Sequence, residues 1–118
     1  MNRISIVLVE DEDIIRITLN DELIEEGFDV VSFSNAKDCL KYIENNSFDI
    51  IITDLKLPDI NGLELLKILK EKLPHIEMLV MTAYGSVDTA IEAMKIGAFN
   101  YLMKPFSTDE LLVNIEKL

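Results

Sequence analysis

The sequence predicts a doubly wound α/β domain of the (βα)5 kind, with five parallel strands alternating with five helices that cover both faces of the sheet. Two observations lead there. Short apolar runs bounded by turn residues recur along the chain and read as buried strands. Each is followed by a stretch whose apolar residues fall three and four positions apart, the spacing of a helix buried on one side. Strict alternation with short connections gives a parallel sheet, because each crossover helix must lie on a face of it. With 118 residues, 49% of them hydrophobic, residues 1–118 make one domain with a substantial core. A domain of this size buries roughly two thirds of its extended-chain surface. There is no internal repeat, linker or low-complexity stretch.

Ile4 to Val9 forms the first strand. Glu10-Asp11-Glu12-Asp13 follows, where acids suit the positive end of a helix dipole. Ile15, Leu19 and Leu23 mark the inner side of that helix, and Gly27 is placed to stop it. Asp29 to Phe33 is the second strand; Ser34 or Asn35 caps the next helix, with Ala36, Leu40 and Ile43 inside. Asp49 to Thr53 is the third strand, and its helix carries Leu63, Leu66, Leu69 and Leu73 before ending at Pro74. Glu77 to Thr82 is the fourth strand; Ser86 caps a helix with Val87, Ala90, Ile91 and Met94, stopped by Gly97. Asn100 to Met103 is the fifth strand. Ser107-Thr108-Asp109-Glu110 reads as a capping box, and Leu111, Ile115 and Leu118 face inward behind it. Met78, Met81, Met94 and Met103 read as core filler, and Glu22, Glu25 and Glu26 as a solvated helix face.

The formal net charge of −11 argues against a grip on nucleic acid or on an anionic membrane, both of which need clustered Lys and Arg. Cys39 is the only cysteine, so no internal disulfide and no cysteine metal cluster forms; on an apolar helical face it reads as a small core residue. His75 follows Pro74 in a loop and is assigned no catalytic role. The N-terminal apolar run is short and followed by acids, unlike a signal peptide, and no run approaches the ~18 apolar residues of a membrane span. A cytoplasmic location is expected.

Ligands of open parallel sheets bind at the carboxyl ends of the strands. Polar residues recur at four of those ends: Glu10 and Asp11 after the first strand, Asp54 after the third, Thr82-Ala83 at the fourth and Lys104-Pro105 at the fifth. Each alone has a plain structural use, as a turn Asp, an acidic helix start, a strand-ending Thr or a surface Lys. Together they describe a site. Three converging carboxylates repel, and a divalent cation relieves that. An all-oxygen site with few protein ligands suits Mg²⁺, or Mn²⁺. An EF-hand loop starting at Asp11 fails, since Ile15 and Arg16 stand where a ligand and the invariant Gly are needed. Lys104 brings a positive charge for a phosphoryl group, and Thr82 a hydroxyl donor. Phosphoryl transfer needs mainly positioning and charge neutralisation, and a carboxylate nucleophile at Asp54 then gives an aspartyl phosphate.

These residues together resemble the receiver domain of two-component response regulators. The resemblance runs the whole chain through Glu10-Asp11, Asp54 with Leu57-Pro58 and Asn61-Gly62 behind it, Thr82-Ala83 and Lys104-Pro105-Phe106. The segments Met81 to Ser86 and Gly97 to Leu102 are most similar to the nitrogen-regulation (NtrC) class of transcriptional activators. The resemblance implies a flavodoxin-like strand order 2-1-3-4-5. It implies that Asp54 takes phosphate from a phosphohistidine of a sensor histidine kinase. Asp11, Asp54 and the Lys56 backbone carbonyl would ligate Mg²⁺, with Glu10 ligating directly or through water. Lys104 would contact the phosphoryl oxygen, Thr82 would move toward the phosphate and Tyr101 would change rotamer with it. The Lys104-Pro105 bond would be cis, and Lys56 and Tyr84 stand where the family tunes dephosphorylation. On this reading the chain is a signalling domain that catalyses only its own phosphotransfer and dephosphorylation. It is a whole regulator or the N-terminal part of a longer one, with DNA binding left to an attached output domain. A phosphorylation-dependent homodimer is common in the family.

Two other functions fit parts of the pattern. A haloacid-dehalogenase-type phosphatase would use Asp11-Glu12-Asp13 as its paired acids, with Thr82 and Lys104 as later motifs, but leaves Asp54 without a role. A flavodoxin-like FMN binder needs a hydroxyl- and glycine-rich loop where four acids stand.

Overall fold

A computed structural model describes residues 3–83 and 87–118. The elements are β1 (Ser5–Val9), α1 (Asp13–Glu25), β2 (Asp29–Phe33), α2 (Ala36–Ile43), β3 (Ile50–Asp54), α3 (Gly62–Lys72), β4 (Glu77–Thr82), α4 (Val87–Ile96), β5 (Asn100–Met103) and α5 (Thr108–Glu116). The strands pair in parallel in the order β2-β1-β3-β4-β5. β3 is therefore central, and all of its residues are buried, which is why it reads as an unbroken apolar run rather than an alternating one.

Alternate strand residues feed two cores. Val7, Val9, Ile51, Met78 and Val80 pack against Ala36, Cys39 and Ile43 of α2, Leu65, Leu66 and Leu69 of α3, and Ala93 of α4. Ile6, Leu8, Ile52, Leu79, Met81 and Leu102 meet Leu19 and Leu23 of α1 and Leu111 and Ile115 of α5. Helices thus cover both faces, as the alternation predicted. Asn35 caps α2 by accepting from the Asp38 N–H, and Ser107 caps α5 by accepting from the Glu110 N–H. Gly27 and Gly97 follow α1 and α4 with φ of 99° and 132°, a backbone region that L side chains rarely adopt.

The departures from expectation are local. β1 starts at Ser5, and β3 runs one residue later than expected because Asp54 still pairs with Met81. Asp49 instead turns its carboxylate onto the Ser5 N–H at 2.8 Å. In α3, Leu65 joins Leu66 and Leu69 in the core, while Leu63 and Leu73 are half-buried. The apolar stripe of α4 is a correction. Ala90 and Ala93 are its buried residues, whereas Val87, Ile91 and Met94 are 43%, 45% and 39% exposed. Both sides of α4 carry a helical period; the small residues let it lie close to its neighbours, and the bulky side faces water. Met94 is therefore not core filler. Ser86, expected to cap α4, and Tyr84 lie outside the described residues. Glu22 is also no solvated residue: it is half-buried and accepts a hydrogen bond from the Thr108 hydroxyl, tying α1 to α5. Cys39 is buried as expected, and burial pushes its thiol up to about 12, which leaves it unreactive. Among the described residues no helix is long and apolar enough to cross a membrane.

Candidate functional site

The strand ladder continues past the strand ends and fixes the site. The Glu10 N–H donates to the Phe33 carbonyl (3.0 Å), Leu55 N–H to Met81 (3.1 Å) and Lys104 N–H to Thr82 (2.9 Å). Glu10, Asp54, Thr82 and Lys104 are thereby set along one edge of the sheet. His75 lies in the α3–β4 connection, at the opposite edge.

The ammonium of Lys104 sits between two carboxylates, 2.5 Å from Glu10 Oε1 and 2.6 Å from Asp54 Oδ2. Glu10 is fully buried, and Asp54 is 5% exposed. The remaining carboxylate oxygens are held by backbone donors: Glu12 N–H to Glu10 Oε2 at 3.0 Å and Lys56 N–H to Asp54 Oδ1 at 2.9 Å. Asp11 is exposed beside them, and ligand oxygens of Glu10, Asp11 and Asp54 all lie within 4.8 Å of one another. A cavity of about 800 Å³ opens over Asp11, Asp54 and Lys104, walled by Ile15, Pro105 and Phe106.

Charge in this cluster is unbalanced, with three carboxylates against one ammonium. Burial raises the Glu10 carboxyl above its ordinary value, and the Asp54 charge adds to that; the bonds from Lys104 and the Glu12 N–H oppose it without cancelling it. For Lys104 burial acts downward, but its bonds to Asp54 and Glu10 outweigh it and hold the ammonium above the usual lysine value. Lys104 is thus charged at neutral pH. The cluster still lacks positive charge, and its oxygen donors, one of them exposed, fit a hard dication such as Mg²⁺.

Thr82 is buried, with its hydroxyl 3.4 Å from the Ala83 carbonyl. Tyr101 is half-buried against the core under α2, α3 and α4. Lys56 is exposed. The Lys104-Pro105 bond is cis, as the resemblance implied.

The loop behind Asp54 is folded back on itself. The Gly62 N–H donates to the Leu55 carbonyl at 2.9 Å, and a Cβ on Gly62 would lie 2.4 Å from Leu55 Cα. Only glycine fits there. Sequence reasoning missed Asp59. Its carboxylate accepts from the N–H groups of Ala36 (3.0 Å), Lys37 (2.8 Å) and Ile60 (3.0 Å), so the loop is clamped to the start of α2. Burial acts upward on its carboxyl, but the backbone donors outweigh it and hold it below the ordinary value of 3.8. A lowered folded value means that stability is present above the unfolded value and lost as pH falls through the folded one. Asp59→Ala is expected to cost about 1 kcal/mol at neutral pH, as loss of a helix cap does. Urea unfolding from neutral pH to about 3 should show that difference shrinking in acid; a difference that stays constant would mean the carboxylate charge is irrelevant.

Residues 6–116 match the family model for the response regulator receiver domain. The chain belongs to that family. NtrC of Proteus hauseri, a DNA-binding transcriptional regulator, is 38% identical over 99% of this chain and 25% of its own length. A receiver domain crystal structure from Clostridium thermocellum superposes with a TM-score of 0.91 at 35% identity, covering 97% of this chain and 92% of that one. The beryllofluoride-activated receiver domain dimer of NtrC4 gives a TM-score of 0.90 at 34% identity, covering 96% and 93%. This chain spans about a quarter of the length of the curated relatives it matches. As a receiver domain it places Asp54 centrally, and the phosphatase pattern is not assembled: Asp13 turns away to pair with Arg16 at 2.7 Å, its side chain 77% exposed.

Proposed function

We propose that Asp54 accepts a phosphoryl group from the phosphohistidine of a sensor histidine kinase. The observation that carries this reading is the Asp54 carboxylate itself, anchored through both oxygens by Lys104 and the Lys56 N–H and within 4.8 Å of the Glu10 and Asp11 oxygens. Glu10, Asp11, Asp54 and the Lys56 carbonyl would hold Mg²⁺, which supplies charge neutralisation when bound. An Asp54 oxygen forms the new bond to phosphorus as the bond to the histidine nitrogen breaks. Lys104 is already against Asp54 and holds a phosphoryl oxygen.

The phosphate becomes a signal through contacts it alone offers. Moving an equilibrium from 1:99 to 99:1 takes about 5.5 kcal/mol of differential binding. Hydrogen bonds to charged groups contribute roughly 1.5–3 kcal/mol each, so new bonds from Thr82, Lys104 and a backbone N–H suffice. Thr82 exchanges its present bonding for the phosphate, and Tyr101 turns with it. The readout surface is α4, β5 and α5, where Val87, Ile91 and Met94 already present an apolar stripe to water. In a longer regulator of the NtrC kind this face controls transcription, with DNA bound by the output domain and phosphorylated receivers pairing as dimers.

Acetyl phosphate with Mg²⁺ should add one phosphoryl unit to the intact mass, and EDTA should prevent it. Labelling that persists in EDTA removes the metal from the scheme. Amide spectra with and without beryllofluoride and Mg²⁺ should differ across residues 82–106; matching spectra there would sink the Thr82–Tyr101 switch.

A further inference from the structure

Arg16 has no part in the chemistry so far, yet it lies against the acidic loop that follows β1. Its side chain is only 18% exposed. Nη1 donates to the main-chain carbonyl of Glu10 at 3.0 Å, and Nη2 to Asp13 Oδ1 at 2.7 Å. Its own N–H donates to the Glu12 carbonyl at 2.9 Å, making the first turn of α1. With the Glu12 N–H on Glu10 Oε2 at 3.0 Å, these bonds tie both sides of Asp11. Asp11 itself is exposed, and its direction is set by the Glu10–Asp11 peptide whose oxygen Arg16 holds.

We infer that Arg16 is a positioning residue for the dication site: its fork on the Glu10 carbonyl and Asp13 aims the Asp11 carboxylate at Asp54. The inference rests on the Mg²⁺ reading above. Charge alone predicts the opposite effect, since a guanidinium near three carboxylates competes with a dication for them. Asp13 neutralises much of that competition through the same fork, leaving geometry as what Arg16 contributes. A planar five-donor guanidinium can hold a carbonyl and a carboxylate at once, which an ammonium on a flexible stem does poorly.

The two effects separate in Mg²⁺ titrations of the unphosphorylated chain, followed by the amide shifts of the Glu10–Asp13 and Asp54–Lys56 segments. Arg16→Gln removes the charge and the fork; Arg16→Lys removes the fork and keeps the charge. Groups that orient metal ligands typically account for 10- to 100-fold in affinity, and both variants are expected to bind Mg²⁺ about 10-fold more weakly. If Arg16→Gln binds more tightly, or both variants bind like the unsubstituted chain and merely melt at lower temperature, the inference is overturned. Should Arg16→Gln not fold, Arg16→Lys, which keeps the aliphatic stem, carries the test. Asp11→Asn is the control that distinguishes the two levels. If the unsubstituted chain fails to bind Mg²⁺, or Asp11→Asn binds as well as it does, the metal reading falls and this inference with it. If that control behaves as expected and the Arg16 variants bind normally, the inference alone falls.

Discussion

Asp54→Asn is expected to leave the chain folded and to abolish its labelling by acetyl phosphate. Asparagine has nearly the same shape, and its side-chain oxygen can still accept from the Lys56 N–H that now bonds Asp54 Oδ1. Lys104 keeps its partner Glu10. What disappears is a charged oxygen able to attack phosphorus, together with one of the three carboxylates that could share a dication. Removing that charge also relieves repulsion on Glu10, whose carboxyl Asp54 helps to raise. Stability should therefore change far less than reactivity. Intact mass after treatment with acetyl phosphate and Mg²⁺ reads the outcome directly. A phosphoryl unit gained by Asp54→Asn would remove Asp54 as acceptor; one lost on Asp11→Asn but kept on Asp54→Asn would point to phosphatase-like chemistry at β1.

The parts of this site that were legible in the sequence are those written in consecutive residues. A buried run ending at a carboxylate, followed by Pro58 and Asn61-Gly62, locates the mouth of β3 without knowledge of its neighbours. Convergence of Glu10, Asp54, Thr82 and Lys104 needed the strand order as well, and that order came from family resemblance before the pairing confirmed it. Contacts between distant residues with no sequence signal stayed hidden. Asp59 looks like any loop acid after Pro58 until the fold brings α2 within its reach, 23 residues away in the chain. The sequence marks Lys104 as a positive charge for a phosphoryl group, but its short ion pair with Glu10 spans 94 residues and carries no sequence signal. The misread face of α4 has another origin. Hydrophobic periodicity weighs bulk, and α4 packs through Ala90 and Ala93, so the expectation held for Ala90 and failed for the bulky Val87, Ile91 and Met94.

The ion cluster leads to the second large effect. Lys104→Met keeps an unbranched apolar stem but removes the only cation paired with Glu10 and Asp54 among the described residues. Stripping one partner from a buried charge cluster costs about 3–5 kcal/mol, because the charge left behind remains desolvated. In EDTA, Lys104→Met should be destabilised by about that much in urea unfolding at neutral pH. Two dependences identify the cause. Glu10 is already raised above its ordinary value, and losing Lys104 removes the largest influence that opposes its burial. For a carboxyl raised in the folded state, stability is greatest below the unfolded value of 4.5 and lost as pH rises through the folded one. The deficit of Lys104→Met should accordingly shrink in acid, where a protonated Glu10 no longer needs the ammonium. Mg²⁺ should also restore stability more to the variant than to the unsubstituted chain, since a dication can take over the charge compensation that the ammonium provided. A deficit indifferent to both pH and Mg²⁺ would mean that Lys104 stabilises the fold by packing.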